Sequence, residues 1–326
     1  MSLLPRPARA AALACMLSAA AVTGAAVGPA AAGTSTAQAS TLPVNYSFVS
    51  GFAAGYARPD TAPPGANDGC QPSAAHPYPV VLVHGTFENM DDNWQAAAPL
   101  LANHGYCVYA FNYGGATSGS DIQGTGEIAA SAQQLSDFVG QVLSETGAPK
   151  VDIVGHSQGG MMPRYYIDSL GGAAKVDKLV GLAPSNYGTT VDGVVTLLTD
   201  LGAAGAADAA LSPYCEACDE QFVGSSFLAK LNAAPTVPAI QYTVIESRDD
   251  EVVTPYTNAF LPAASNVTNI TVQNQCPLDA SDHLELAYDP VALADVLNAL
   301  DPSDPVNVPC VPVLPLTGPT GPVPPF

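Results

Sequence analysis

Basic residues are scarce in this 326-residue chain: nine Lys and Arg stand against 29 Asp and Glu, a formal net charge of −20. Two of the nine, Arg6 and Arg9, lie in the first ten residues, so the remainder is poorer still. Such a surface cannot neutralise phosphates, which excludes nucleic acid as a partner, and it gives no electrostatic grip on anionic lipid. No group of His, Cys and acidic residues has metal-ligand spacing, so no metal or other cofactor is expected. Charged residues make up only 12% and apolar ones 48%, enough for one sizeable core.

A clean transmembrane span is also missing. The one long apolar run, Ala10 to Ala32, is Ala-rich and broken by Gly24, Gly28 and Pro29. It follows the two arginines and precedes small-residue cleavage signals at Ala30-Ala31-Ala32 and Ala37-Gln38-Ala39. This three-part order predicts a signal peptide over 1–39, cleaved near 32 or 39, with no stable membrane anchor and a secreted product. Cleavage removes Cys15 and leaves Cys70, Cys107, Cys215, Cys218, Cys276 and Cys310. An even set in an exported chain reads as three disulfides. Proximity along the chain suggests Cys70–Cys107, Cys215–Cys218 and Cys276–Cys310.

Residues 40–75 are rich in Gly, Pro and Ala without periodicity and read as an arm. From 76 to 300, short apolar runs alternate with helical patterns. The runs are 79–83, 107–111, 151–154, 178–182, 239–246 and 267–272; helices are expected at 94–103, 128–143, 161–170 and 290–300. Continuous apolar strands separated by helices imply a mostly parallel sheet covered on both faces. Asp289 and Pro290 supply an N-cap and first-turn signal for the last helix. Residues 187–238 interrupt the alternation, either as a cap over a pocket or as ordinary surface helices. The tail, 301–326, is too Pro-rich to bury a core of its own and is expected to be extended or disordered. Its Leu314-Pro315-Leu316-Thr317-Gly318 matches a cell-wall sorting pattern, without the apolar span and basic end that such a signal needs.

Gly155-His156-Ser157-Gln158-Gly159 has the G-x-S-x-G form of a nucleophile elbow and stands between a predicted strand and a predicted helix. That turn would hold Ser157 strained with its hydroxyl above the sheet, and the flanking glycines let neighbouring backbone approach. A serine needs a base and a group to orient the base, in the chain order Ser, acid, His. His283 is the one histidine after Ser157. The acid belongs after the fifth strand, where Asp249, Asp250 and Glu251 are all candidates that periodicity cannot separate. Two backbone N–H groups must meet the developing oxyanion. Gln158 supplies one, and Thr86, after the His84-Gly85 turn, supplies the other; the Thr86 hydroxyl is a third candidate donor.

Several separated motifs, in consistent order, resemble the secreted class 2 lipases of high-GC Gram-positive bacteria. They are Val83-His84-Gly85-Thr86-Phe87-Glu88-Asn89, Asn93-Trp94, Gly155-His156-Ser157-Gln158-Gly159-Gly160, Asp250-Glu251-Val252-Val253-Thr254-Pro255-Tyr256 and Cys276-Pro277-Leu278-Asp279. The resemblance spans roughly residues 65–310. It implies a single α/β-hydrolase domain and a triacylglycerol lipase or carboxylesterase acting on lipid or other ester substrates. It also implies Asp250 as the acid, although Asp249 stands where that family usually has an aromatic residue. Two rival readings use the same chain. One is a polyester hydrolase or acyltransferase with the same triad; the other is a non-catalytic, surface-attached binding protein.

Overall fold

Runs of β-branched residues build the sheet, as their stiff side chains fit a pleated, covered surface. Among the described residues the strands of the main sheet are β1 (Val80–Val83), β2 (Val108–Ala110), β3 (Val151–His156), β4 (Val176–Leu182), β5 (Gln241–Glu246) and β6 (Val267–Thr271). They form one parallel sheet in the order β2-β1-β3-β4-β5-β6. Every residue of β1 and β3 is buried. Successive strand residues point to opposite faces, so both faces of the central sheet are covered. The structure is a computed structural model that describes residues 41–115, 119–201 and 215–326. The expected signal peptide lies outside the described residues, as does 202–214 of the expected insertion.

The helices are α1 (Phe48–Gly55), α2 (Ala97–Asn103), α3 (Ile128–Thr146), α4 (Gln158–Ser169), α5 (Val191–Asp200), α6 (Glu216–Glu220), α7 (Ser226–Leu231), α8 (Val272–Gln275) and α9 (Pro290–Leu300). In α3 the stripe Ile128, Ala132, Leu135, Val139 and Val142 is buried, and the helix ends at Gly147 in the left-handed conformation. That is the spacing and the stop read from sequence. In α9 the Asp289 carboxylate accepts the Val291 N–H at 2.8 Å, as an N-cap does. α4 packs on β3 and β4, and α9 on β4 and β5. No helix among the described residues is long and apolar enough to cross a membrane.

The two ends differ from expectation. The arm contains α1, too short to show a periodic pattern; it is held by Phe48, whose ring meets Tyr288 edge-on at 5.8 Å. The tail is ordered. Val313–Leu314 pairs with Gly318–Pro319 as a hairpin, so the sorting-like motif forms a turn. Cys276–Cys310 ties the tail to the domain, and Val49 N–H donates to Leu316 O at 3.0 Å. Phe326 ends 6.3 Å from the Tyr46 ring. A segment that cannot make its own core has borrowed the domain's. Cys70–Cys107 and Cys215–Cys218 also form, completing the three pairs suggested by proximity. The insertion carries α5, α6 and α7. The helix expected from Trp94 starts three residues later, at Ala97.

Candidate active site

The sheet order makes the site. From β1 the chain runs to β2 on one side, then returns to β3 on the other, so a crevice opens between the carboxyl ends of β1 and β3. Thr86 leaves β1 there, and Ser157 stands at the junction of β3 and α4. Ser157 has φ 53° and ψ −122°, a left-handed conformation unusual for a residue with a side chain, and is 4% exposed. Holding it costs on the order of 1–3 kcal/mol, supplied by the surrounding packing. The flanking glycines make that packing possible. A β-carbon on Gly155 would overlap the Gly159 carbonyl, and one on Gly159 would overlap the Val83 carbonyl.

His283 lies on the loop between α8 and α9. Its Nδ1 is 2.8 Å from Asp250 Oδ2, and both side chains are fully buried. The other Asp250 oxygen accepts the N–H groups of Val252 and Val253 at 2.7 and 2.8 Å, which fixes the carboxyl. Asp249, its neighbour, is exposed. Burial pushes Glu251 up to about 8. Burial opposes charge on His283, but the facing Asp250, with Glu251 and Glu88 beyond, outweighs it and holds the imidazole up at about 9. The bond to Asp250 leaves Nε2 as the other ring nitrogen; among the described residues it has no hydrogen-bond partner and is not bonded to Ser157. The His283 and His156 rings lie 5.0 Å apart, which brings His283 against the residue preceding Ser157.

Sequence reasoning missed the buried groups that tie these loops together. His156 Nδ1 lies 3.0 Å from Glu88 Oε2, and its Nε2 donates to the His283 carbonyl at 3.0 Å. Asn93 donates to Glu88 at 2.9 Å and accepts the Gly85 N–H at 3.0 Å. Glu246, fully buried at the end of β5, is pushed well above the usual carboxyl range by burial and by the nearby Asp250. Glu88 and Asn93 stood inside quoted motifs, but nothing in a linear pattern says that they meet a residue over sixty positions away.

The cavity beside Ser157 is lined by Thr86 and Phe87 after β1, Val194 and Leu197 of α5, Gln221, and Val252 and Val253. Its volume is about 10 Å³, room for about one water. Anything larger enters only if the covering side chains move. Thr86 and Gln158 are both buried here, and the Gln158 side chain donates to Thr86 Oγ1 at 2.8 Å. Among the described residues no cluster of His, Cys, Asp and Glu could hold a metal ion.

Known proteins resemble this chain in sequence and fold. The family described as lipase (class 2) matches residues 77–293. A triacylglycerol lipase of Pseudarthrobacter phenanthrenivorans is 44% identical over 97 residues, covering 28% of this chain and 28% of that protein. One of Burkholderia plantarii is 44% identical over 97 residues, covering 28% of this chain and 25% of that protein. The aligned region is thus under a third of either relative. The crystal structure of Aspergillus fumigatus lipase B superposes with a TM-score of 0.56 at 18% identity, covering 76% of this chain and 56% of that one, a likeness of fold. The fold is that of the α/β-hydrolases, and with its family match running from before β1 into α9, the chain belongs to the class 2 lipase family.

Proposed function

We propose that this protein hydrolyses carboxylic esters of lipids, as a triacylglycerol lipase or carboxylesterase, through an acyl-enzyme on Ser157. The observation that carries the reading is the buried His283–Asp250 pair at 2.8 Å, with the second imidazole nitrogen free beside a strained serine elbow. In this reading Ser157 Oγ attacks the ester carbonyl while His283 Nε2 takes its proton. Asp250 holds the imidazole in the right tautomer and stabilises the cation that forms. The N–H groups of Thr86 and Gln158 receive the oxyanion. His283 returns the proton to the departing alcohol, and water then releases the fatty acid by the same steps in reverse. The cavity's largely apolar walls suit an acyl chain. Three disulfides and the expected leader support export.

The test is a fluorophosphonate probe followed by peptide mapping, alongside hydrolysis of emulsified triglyceride and nitrophenyl esters. Label on Ser157, and loss of both label and turnover in Ser157→Ala with unfolding unchanged, are expected. Wild-type turnover in Ser157→Ala would sink the assignment.

A further inference from the structure

Thr86 Oγ1 sits among amides whose orientations are fixed. The Gln158 Nε2 donates to the Gly124 carbonyl at 2.7 Å and to Thr86 Oγ1 at 2.8 Å. The Gln221 Nε2 donates to the Ala217 carbonyl at 3.1 Å and to Thr86 Oγ1 at 2.9 Å. A carbonyl only accepts, so each of these atoms must be nitrogen, and each NH2 spends one hydrogen on its carbonyl and one on Thr86. The Gln221 carbonyl oxygen in turn accepts the Ser185 hydroxyl at 2.8 Å. A hydroxyl has two lone pairs and one hydrogen. With both lone pairs occupied, the Thr86 hydrogen can only be donated, and among the described residues no protein group takes it. Thr86, Ser185, Gln221 and Ser157 line one cavity.

We propose that Gln221 is a positioning residue: with Gln158 it saturates the Thr86 oxygen and so commits the Thr86 hydroxyl to donate into the cavity at the oxyanion of the Ser157 adduct. This rests on the reading of Ser157 as nucleophile. Gln221 is well placed for the task. It is 5% exposed, it follows α6, and its main-chain carbonyl accepts the Thr189 N–H at 2.9 Å. The Cys215–Cys218 bond staples the start of the same short helix. The insertion thereby contributes to the chemistry of the site as well as to its walls. A donor preoriented before the reaction needs no rearrangement as charge develops, which is why it acts on the transition state more than on bound ester.

The test is a double-mutant cycle on the full chain with a soluble nitrophenyl ester. Thr86→Val should lower kcat about a hundredfold with KM little changed, the scale expected for one oxyanion donor. Gln221→Met, close in volume but without a donor, should lower kcat about tenfold, again with KM unchanged. The pair together should lose no more than Thr86→Val alone. Thr86→Ser keeps the hydroxyl, so it should keep most of kcat and remain sensitive to Gln221→Met. Independent, multiplying losses overturn the proposal, as does a Gln221→Met effect confined to KM. Should Gln221→Met unfold, Ser185→Ala releases the same amide from its other side and must show the same non-additivity with Thr86→Val. Fluorophosphonate labelling separates the two levels. No label on Ser157 in the wild type removes the nucleophile reading; label there with wild-type kcat in the Gln221 variant removes only this one.

Discussion

Gly159 touches β1 so closely that a single methyl group has nowhere to go. Gly159→Ala should therefore push the elbow off the strand, lower kcat at least a hundredfold and cost roughly 1–3 kcal/mol, by the overpacking argument; kinetics and urea unfolding read both. At Asp250 the expectation concerns pH. In the proposed mechanism the base works only as neutral imidazole, and His283 is held up at about 9, so kcat/KM should climb as pH rises toward that value. Asp250→Asn should move that limb to lower pH and reduce kcat, whereas Asp249→Asn, at an exposed site, should do neither; a pH series on the two variants decides it. Ser157 and His283 were legible as residues because one has a motif and the other no competitor. Choosing Asp250 among three consecutive acids was beyond periodicity, since which carboxyl turns inward depends on the Val252 and Val253 N–H groups that capture it.

At the scale of elements, the sheet was the most legible part. Covered parallel strands carry apolar runs, and all six strands, the largely uncovered edge strand β6 included, stand within a few residues of their expected bounds. The insertion was less so, because Ala- and Leu-rich helices look alike whether they cover a pocket or only a surface. Val194 and Leu197 of α5 line the cavity. Leu197→Trp should fill what space there is. Hydrolysis of long-chain nitrophenyl esters should fall about tenfold more than that of the acetate, a discrimination of about 1.4 kcal/mol. Equal losses across the series would mean that α5 does not border the acyl path. α1 was invisible in the sequence for a different reason: eight residues with two glycines carry too little pattern, and the contacts that hold them, from Tyr288, Glu285 and Leu316, come from far along the chain.

Across the whole molecule, acidity is a cost as well as a solubilising charge. Burial pushes Glu285 from an ordinary 4.5 up to about 9 while it accepts the Phe48 N–H at 2.9 Å. Between those values the folded chain holds a proton that the unfolded chain releases, so stability falls as pH rises through the window. Glu285→Gln should flatten that slope and raise the melting temperature at pH 8 relative to the wild type. Thermal scans from pH 5 to 9 check it, and an unchanged slope would assign the effect elsewhere. The Cys276–Cys310 bond, with a sequence separation of 34, should contribute roughly 3–4 kcal/mol by limiting the unfolded chain. Removing it should also loosen the tail from the His283 loop. That tail brings Phe326 to within 6.3 Å of Tyr46, ring to ring. A linker of a few residues joining them, with new ends cut into the exposed turn after α3, would give a circularly permuted protein. Ser157, Asp250 and His283 would keep their contacts and their order, while β1 and Thr86 would follow them along the chain instead of preceding them.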